Sequence, residues 1–145
     1  MPSFDDHAHS AAPPEEVWKL LYDPTRFTEW WVGVASVDPD PVGDKYTMYP
    51  AGYADFPMPQ LLCTDRVGQR VTISCLVSDL RFDWRLRPSA DGAATDIEVH
   101  VDIPDEEAAR LATQRDVIRR SVANLAALAT ATGDQLHRRT EGGLV

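Results

Sequence analysis

The stretch APPEEVWKLLYDPTRFTEWW, residues 12–31, predicts two consecutive short helices that end in a pair of tryptophans. Pro13 and Pro14 stand where the first helix begins, because a proline in the first turn forfeits no N–H group that the helix needs. This helix is predicted to stop at Asp23-Pro24, because the residue before a proline avoids the α region. Asp23 can in turn cap a second helix that starts at Pro24 and carries the tryptophans.

After residue 31 the periodicity changes from helical to alternating, which is typical of β-strands. Strands are predicted at 4–11 ahead of the helices and at 32–37, 45–49, 60–67, 70–77, 80–87 and 95–103 after them. The Pro- and Gly-rich residues 50–59 are predicted to form a loop. Three strands have one apolar and one polar face, which predicts an antiparallel sheet with one face in solvent. Their apolar faces carry Val71, Ile73, Cys75 and Val77; Leu80, Phe82, Trp84 and Leu86; and Ile97, Val99, Val101 and Ile103.

A last helix is predicted to open at Pro104 and to run to about Thr132, before Gly133. It has one apolar stripe, and the apolar face of the sheet is the only surface of matching size against which that stripe can pack. Residues 1–133 are therefore predicted to form a single domain. Residues 134–145 are predicted to be a flexible tail.

The composition fits one globular domain and argues against a nucleic acid partner. The chain has 145 residues, 43% of them hydrophobic, and a formal net charge of −9, which disfavours nucleic acid. Neither a signal peptide nor a membrane-spanning run is evident, so a cytoplasmic location without membrane insertion is expected. Cys63 and Cys75 are expected to be reduced, partly buried thiols.

The residues of the opening stretch resemble the signature of a known superfamily. Ala12 to Trp18 (APPEEVW), followed by Leu20-Leu21, Asp23-Pro24 and Trp30, is similar to the start of SRPBCC proteins. These are the START and birch-pollen-allergen group, and the resemblance is to the bacterial polyketide cyclase/dehydrase-like branch in particular. The element order agrees over nearly the whole chain, whereas the sequence-specific likeness is confined to residues 12–31.

The resemblance implies an α+β helix-grip fold, ordered β-α-α-β6-α. In this fold a curved antiparallel sheet wraps a long C-terminal helix, and an internal cavity lies between them. The two short helices close one end of that cavity, with Val17, Leu20 and Leu21 as the plug. At least one of the two tryptophans is expected to contact the interior, because each has a large apolar area.

The apolar positions that face the expected cavity give the predicted ligand-binding set. A largely apolar pocket with a few polar groups is the usual form of a small-molecule site. The 50–59 loop is expected to act as a lid at the mouth. The predicted set is Trp30, Tyr46, Met48, Tyr53, Phe56, Ile73, Cys75, Phe82, Trp84, Ile97, Val99, Ile118 and Val122.

Three residues are candidates for chemistry, and two of them depend on the register of one hairpin. A two-residue turn at Gly68-Gln69 places Arg66 on the cavity face, whereas a longer turn places Asp65 there. A buried Asp65 suits a general acid or base, and Arg66 suits a carboxylate or enolate oxygen. Tyr46 can donate a hydrogen bond to a ligand carbonyl. The register stays open at this point.

No cofactor and no metal site are predicted. Asp5, His7 and His9 share one strand face, but no fourth ligand is evident, and neither a P-loop nor a dinucleotide fingerprint occurs. The predicted function is binding of a small hydrophobic molecule, such as a polyketide, lipid or aromatic metabolite, by a monomer or homodimer. The alternatives are a polyketide cyclase/dehydratase-like enzyme in the same cavity and a regulatory or stress-related interaction protein with a filled interior.

Overall fold

The computed structural model describes residues 2–41 and 43–142. Its strands are β1 (Ser3–Ser10), β2 (Val34–Pro39), β3 (Lys45–Pro50), β4 (Met58–Asp65), β5 (Arg70–Cys75), β6 (Arg81–Pro88) and β7 (Thr95–Asp102). Its α-helices are α1 (Pro14–Leu21) and α2 (Leu111–Gly142), and 3-10 helices lie at Pro24–Glu29 and Asp105–Arg110. Within the described ranges, no helix combines the length and the apolar character needed to cross a bilayer.

All seven strands form one open antiparallel sheet in the order β1-β7-β6-β5-β4-β3-β2. Strands β2 to β7 form a meander, in which each strand pairs with the strands before and after it in sequence. Their residues alternate between apolar and polar, as is usual for an antiparallel sheet with one face in solvent. The first strand crosses to the far edge, where β1 pairs with β7 from Ser3 opposite Asp102 to Ser10 opposite Thr95. The chain therefore begins at one edge of the sheet and passes through α1 to the other edge.

Helix α2 packs on the apolar face of the sheet, as the stripe on this helix predicts. Ile118, Val122, Leu125 and Ala129 are all buried on this side. The contacts of α2 are concentrated on β1 and α1. The hydroxyl of Ser10 in β1 donates a hydrogen bond to the carbonyl of Ala126 at 3.0 Å.

The end of α2 differs from the prediction that it stops before Gly133. The helix continues through Gly133 to Gly142. At Gly133 an added Cβ would meet the Cβ of Ala12 at 3.4 Å, so the small residue lies at a close approach to the start of α1 and does not end the helix. The flexible tail at 134–145 remains a prediction, and residues 143–145 of it lie outside the described part of the chain.

The two short N-terminal helices form as predicted, and the second is a 3-10 helix. Asp23 caps it, because its carboxylate accepts a hydrogen bond from the backbone N–H of Thr25 at 3.0 Å. This helix ends at Glu29, so Trp30 and Trp31 follow it and do not lie on its turns. Both tryptophans are nevertheless buried.

Most strand boundaries differ from the prediction by one or two residues, and three of the differences affect the site or the buried face. β2 begins only at Val34, and β4 already begins at Met58, so the loop that precedes it is residues 51–57. Pro59 is part of β4, where its carbonyl accepts a hydrogen bond from the Leu76 N–H at 3.0 Å. β5 ends at Cys75, so Val77 lies in a turn and is 54% exposed, not buried with the rest of its predicted face.

The outer face of the sheet is charged as predicted, with one carboxylate covered. The side chain of Asp83 is only 10% exposed, because the Arg70 guanidinium donates two hydrogen bonds to it at 2.8 and 2.6 Å. Arg85 adds a third contact at 3.4 Å. The alternation of strand residues correctly places Asp83 on the outer face of the sheet, but it does not show that neighbouring arginines shield this carboxylate from solvent.

Candidate ligand-binding site

A cavity of about 490 Å³ lies between the β2–β4 side of the sheet and the start of α2. Because α2 packs mainly on β1 at the other edge, it does not fill the space over β3 and β4. The sheet side of the wall is Val34, Tyr46, Met48, Pro50, Met58, Gln60, Cys75 and Phe82. The remaining wall is Trp31, Val32, Gly33, Tyr53, Phe56, Ser78, Leu80, Arg110, Gln114 and Val117.

An aromatic cluster closes the inner end of this cavity. Trp31 lines the cavity and stacks on Trp30, with their ring centroids 5.3 Å apart. The Trp31 ring also meets Phe82 edge to face at 5.1 Å and Trp84 at 5.4 Å. Trp31 therefore forms part of the cavity wall, whereas Trp30 lies behind it in the core.

The predicted ligand-binding set divides between the cavity wall and the packed core. Six of its members line the cavity: Tyr46, Met48, Tyr53, Phe56, Cys75 and Phe82. Seven do not line it and are buried in the core: Trp30, Ile73, Trp84, Ile97, Val99, Ile118 and Val122. Alternation identifies the face of a strand correctly, but it cannot show over which strands the helix packs closely and over which it does not.

The loop at residues 51–57 lies at the cavity mouth, where the sequence predicts a lid. Tyr53 and Phe56 both line the cavity, although they are 68% and 53% exposed. The Phe56 N–H donates a hydrogen bond to the Tyr53 carbonyl at 3.0 Å, which brings the two side chains into one turn. These rings are therefore available to contact both solvent and a molecule in the mouth.

The register of the β4–β5 hairpin places neither Asp65 nor Arg66 in the cavity. Leu62 is opposite Ile73, which is the face expected for the short turn, but the pairing ends at Asp65 opposite Arg70. Arg66 therefore falls in a four-residue turn, where it is exposed and lies 3.7 Å from Glu15. Asp65 is exposed and accepts a hydrogen bond from the Gly68 N–H at 3.0 Å. Neither residue lines the cavity, so the expectation that one of them faces it is wrong.

Polar groups of the wall are mostly uncharged. They comprise the Tyr46, Tyr53 and Ser78 hydroxyls and the amides of Gln60 and Gln114. Gln60 is 3% exposed and was missed by the sequence analysis, although its parity with Leu62 puts it on the cavity face. Burial, with a smaller contribution from the charge of nearby Cys75, raises the pKa of Tyr46 far above its ordinary value, so its phenol stays protonated.

Arg110 is the charged side chain of the wall, and it lies at the mouth. Its guanidinium is half exposed and forms an ion pair with Glu107 at 2.7 Å. Aspartate, glutamate and histidine are absent from the wall formed by the described residues. The cavity can therefore hold an apolar molecule and offer it hydrogen bonds, but it offers no carboxylate or imidazole for proton transfer.

The candidate metal-binding face at Asp5, His7 and His9 is occupied by other interactions. Asp5 contacts His100 at 2.7 Å, and His9 contacts Asp96 at 2.8 Å. Within residues 2–41 and 43–142, no group of three or more His, Cys, Asp or Glu residues is arranged to hold a metal ion. Both cysteines are free: Cys75 is buried in the cavity wall, whereas Cys63 is exposed on the opposite face.

The sequence matches the family described as polyketide cyclase / dehydrase and lipid transport over residues 1–131. No curated protein matches the chain significantly.

Solved structures with the same fold include an aromatase/cyclase and a di-domain ARO/CYC protein. The Zhui aromatase/cyclase from Streptomyces sp. R1128 is 13% identical with a TM-score of 0.69, over 92% of this chain and 94% of that one. The di-domain ARO/CYC BexL of the BE-7585A biosynthetic pathway is 15% identical with a TM-score of 0.72, over 88% of this chain and 46% of that one. XoxI from Bacillus cereus is 14% identical with a TM-score of 0.72, over 88% and 94%.

Proposed function

We propose that this chain, which belongs to the polyketide cyclase/dehydrase and lipid transport family, binds a small hydrophobic molecule in its cavity. The observation that carries the proposal is a cavity of about 490 Å³ whose wall is aromatic and aliphatic with a few neutral polar groups. Small-molecule sites usually have about 300–1,000 Å³ and this kind of lining. A polyketide, a lipid or an aromatic metabolite is the class of ligand that such a wall accepts.

The SRPBCC resemblance and the helix-grip fold predicted from the sequence are both confirmed. At 13–15% identity the solved relatives carry the fold alone, so the function has to be argued from the cavity of this chain.

A cyclase- or dehydratase-like activity is the second candidate, favoured by the family description and by the names of two relatives. Such chemistry needs acid and base groups within reach of the ligand. Tyr46 is held protonated by burial and is a hydrogen-bond donor, not a base. Asp65 and Arg66 lie outside the cavity. These observations favour binding over catalysis, with Tyr46 able only to polarise a ligand carbonyl.

An interaction protein with a filled interior is the weakest of the three candidates. The cavity counts against a filled interior, and the outer sheet face is charged where a partner-binding patch would be apolar. From the net charge of −9 we further infer that the chain has no nucleic acid partner, which a nucleic acid binding assay tests. A cytoplasmic location and a monomeric or homodimeric state stay predictions, and light scattering tests the second.

The experiment that tests the proposal fills the cavity and compares a matched variant. Met48 lines the cavity, whereas its neighbour Thr47 lies on the opposite face of β3. We expect the apolar fluorescent probe N-phenyl-1-naphthylamine to bind the wild type and Thr47→Trp alike, and Met48→Trp at least about tenfold more weakly. Failure of the probe to bind the wild type, or equal binding by both variants, would refute the proposal.

Native mass spectrometry of the protein purified from its own host addresses the identity of the ligand. A co-purified small molecule that is lost from Met48→Trp but retained by Thr47→Trp would be the cavity's ligand.

A further inference from the structure

Three side chains of the cavity wall stand in one row across neighbouring strands. Tyr46 of β3 is directly opposite Gln60 of β4, and Gln60 is directly opposite Cys75 of β5. All three line the cavity. Residues directly opposite each other in an antiparallel pair have Cβ atoms about 4.5–5.5 Å apart, so Tyr46 and Gln60 are neighbours in the cavity wall.

The Gln60 amide has a fixed orientation that exposes its acceptor. Its Nε2 donates a hydrogen bond to the backbone carbonyl of Met58 at 3.2 Å, so the amide oxygen points away from that carbonyl. Among the described residues, Gln60 Oε1 has no hydrogen-bond donor, and it is not one of the side-chain atoms sealed from solvent without a partner, so it is open to the cavity. A ligand that displaces water from Oε1 without offering it a donor would leave this acceptor unpaired, which costs free energy.

The Tyr46 hydroxyl is the complementary donor. Its ring meets Phe27 edge to face with centroids 5.7 Å apart and is 4% exposed, so its position is fixed by packing. Its phenol stays protonated because burial raises its pKa. Among the described residues, the hydroxyl has no acceptor, and it is not sealed from solvent, so it too is open to the cavity. A ligand that displaces water from the hydroxyl therefore binds best if it offers an acceptor there.

We propose that Tyr46 and Gln60 together select an uncharged head group that carries both an acceptor and a donor, and that they exclude carboxylates. Primary carboxamides and enolised carbonyl compounds are the chemical classes with this arrangement. A carboxylate offers acceptors only, so one of its oxygens would face Gln60 Oε1 with no proton between them. This inference rests on the proposed function, because it concerns the same cavity.

Arg110 does not reverse this selection. It is the charged member of the wall, but its guanidinium already contacts Glu107 at 2.7 Å and is 49% exposed at the mouth. A carboxylate that reached Arg110 would have to compete with Glu107 and with water. The charge of Arg110 therefore acts at the entrance and not at the Tyr46–Gln60 pair.

Four naphthalenes of nearly equal size test the inference by calorimetry at about pH 7.5. 2-Naphthamide supplies donor and acceptor, 2-acetylnaphthalene the acceptor alone, 2-naphthoate two acceptors and a charge, and 2-methylnaphthalene neither. We expect the wild type to bind 2-naphthamide about tenfold more tightly than 2-methylnaphthalene, with 2-acetylnaphthalene between them and 2-naphthoate weakest.

Two variants separate the roles of the pair. Tyr46→Phe should weaken both 2-naphthamide and 2-acetylnaphthalene about five- to tenfold, because both use the hydroxyl as donor. Gln60→Met should weaken only 2-naphthamide, because the ketone has no donor for Oε1. Tyr49→Phe is the matched control, since Tyr49 lies on the opposite face of β3 and should leave all affinities unchanged. Thermal unfolding of each variant verifies that it is folded.

Equal binding of all four probes by the wild type would overturn the inference and leave the proposed function standing. Tighter binding of 2-naphthoate than of 2-naphthamide, or loss of ketone affinity in Gln60→Met, would also overturn it. Binding of none of the four probes would overturn the proposed function itself.

Discussion

Trp30 and Trp84 meet edge to face with their ring centroids 5.2 Å apart, yet only one of their indole N–H groups has a hydrogen-bond acceptor. Trp30 Nε1 donates to the carbonyl of Leu20 at 2.9 Å. Trp84 Nε1 is buried and has no partner among the described residues. The two rings therefore share one environment and differ in how their polar atoms are satisfied.

The same substitution at these two positions should have unequal effects. Trp30→Phe leaves the Leu20 carbonyl without its donor, whereas Trp84→Phe removes an N–H that was already unpaired. We expect Trp30→Phe to lower the free energy of unfolding by about 1–3 kcal/mol more than Trp84→Phe does. Urea denaturation of both variants measures this difference. Equal losses would mean that volume, and not hydrogen bonding, dominates at both positions.

The covered carboxylate on the outer face should contribute to stability. Burial acts to raise the pKa of Asp83, but hydrogen bonds and charge from Arg70, with the charge of Arg85, outweigh it and lower the pKa below 3.8. Asp83→Asn is expected to cost about 1–2 kcal/mol in the free energy of unfolding, a value reduced by the solvent exposure of Arg70. Asp38→Asn, at an exposed position of β2, is the control and should cost little.

The pH dependence of the Asp83 contribution has a definite sign. A carboxylate with a lowered pKa in the folded state stabilises the protein above its ordinary pKa, and this contribution is lost as the pH falls through the lowered value. The difference between wild type and Asp83→Asn should therefore be constant above about pH 5 and shrink in more acidic solution. A difference that instead grows toward acid would contradict the pairing with Arg70.

His100 should have the opposite pH dependence. Its pKa is raised, first by a hydrogen bond with Asp5 of β1 and, against some loss from burial, also by Asp102. A raised pKa stabilises the folded state fully below the ordinary value of 6.5, and the contribution is lost as the pH rises through the raised value. Asp83 faces His100 from β6 but is engaged by Arg70.

We expect the wild type to be more stable to unfolding than His100→Gln, and the difference in the free energy of unfolding to be larger at about pH 5.5 than at about pH 9. The change should stay below about 1 kcal/mol, because the imidazole is 40% exposed and is screened by solvent. Thermal unfolding at the two pH values measures it, and Asp5→Asn should reduce the same change. A pH-independent difference would show that the histidine is not charged between these carboxylates.

The hydroxyl of Ser10 should stabilise the contact between β1 and α2. It is fully buried, donates to Ala126 and lies 2.9 Å from the Thr130 hydroxyl. Ser10→Ala is expected to lower the free energy of unfolding by about 1–2 kcal/mol, since Ala126 and Thr130 of α2 each lose one hydrogen bond to β1. Ser36→Ala, at an exposed position of β2, should change it by less than about 0.5 kcal/mol. Similar losses in both variants would argue against the role of this contact.

The element order could be predicted because it depends on local patterns. The prolines around α1 and the alternation in β5 to β7 act over a few residues, and so they predicted the helices and the buried faces. The length of α2 could not be predicted in this way. Taken locally, Gly133 is a helix stop signal. Only its close approach to Ala12, which is near the other end of the domain in sequence, shows why a small residue is needed there.

The sequence predicts which face of the sheet carries the candidate site, but it does not predict which residues of that face line the cavity. Tyr46 and Cys75 line the cavity as expected, whereas Ile73 and Ile97 obey the same alternation and are core. What separates them is where α2 crosses the sheet, which is a tertiary property without a local signal. Gln60 could have been identified from its parity with Leu62, but a polar residue in an apolar lining is overlooked when only apolar positions are selected.

Most of the cavity wall comes from one continuous stretch of chain, from Trp31 to Gln60, while the buried residues of α1 and the buried stripe of α2 lie elsewhere in the sequence. If the proposed function holds, substitutions at exposed wall positions of this stretch, such as Tyr53 and Phe56, would change which molecules fit. They would leave the contact between α2 and β1 untouched, because that contact is made by other segments.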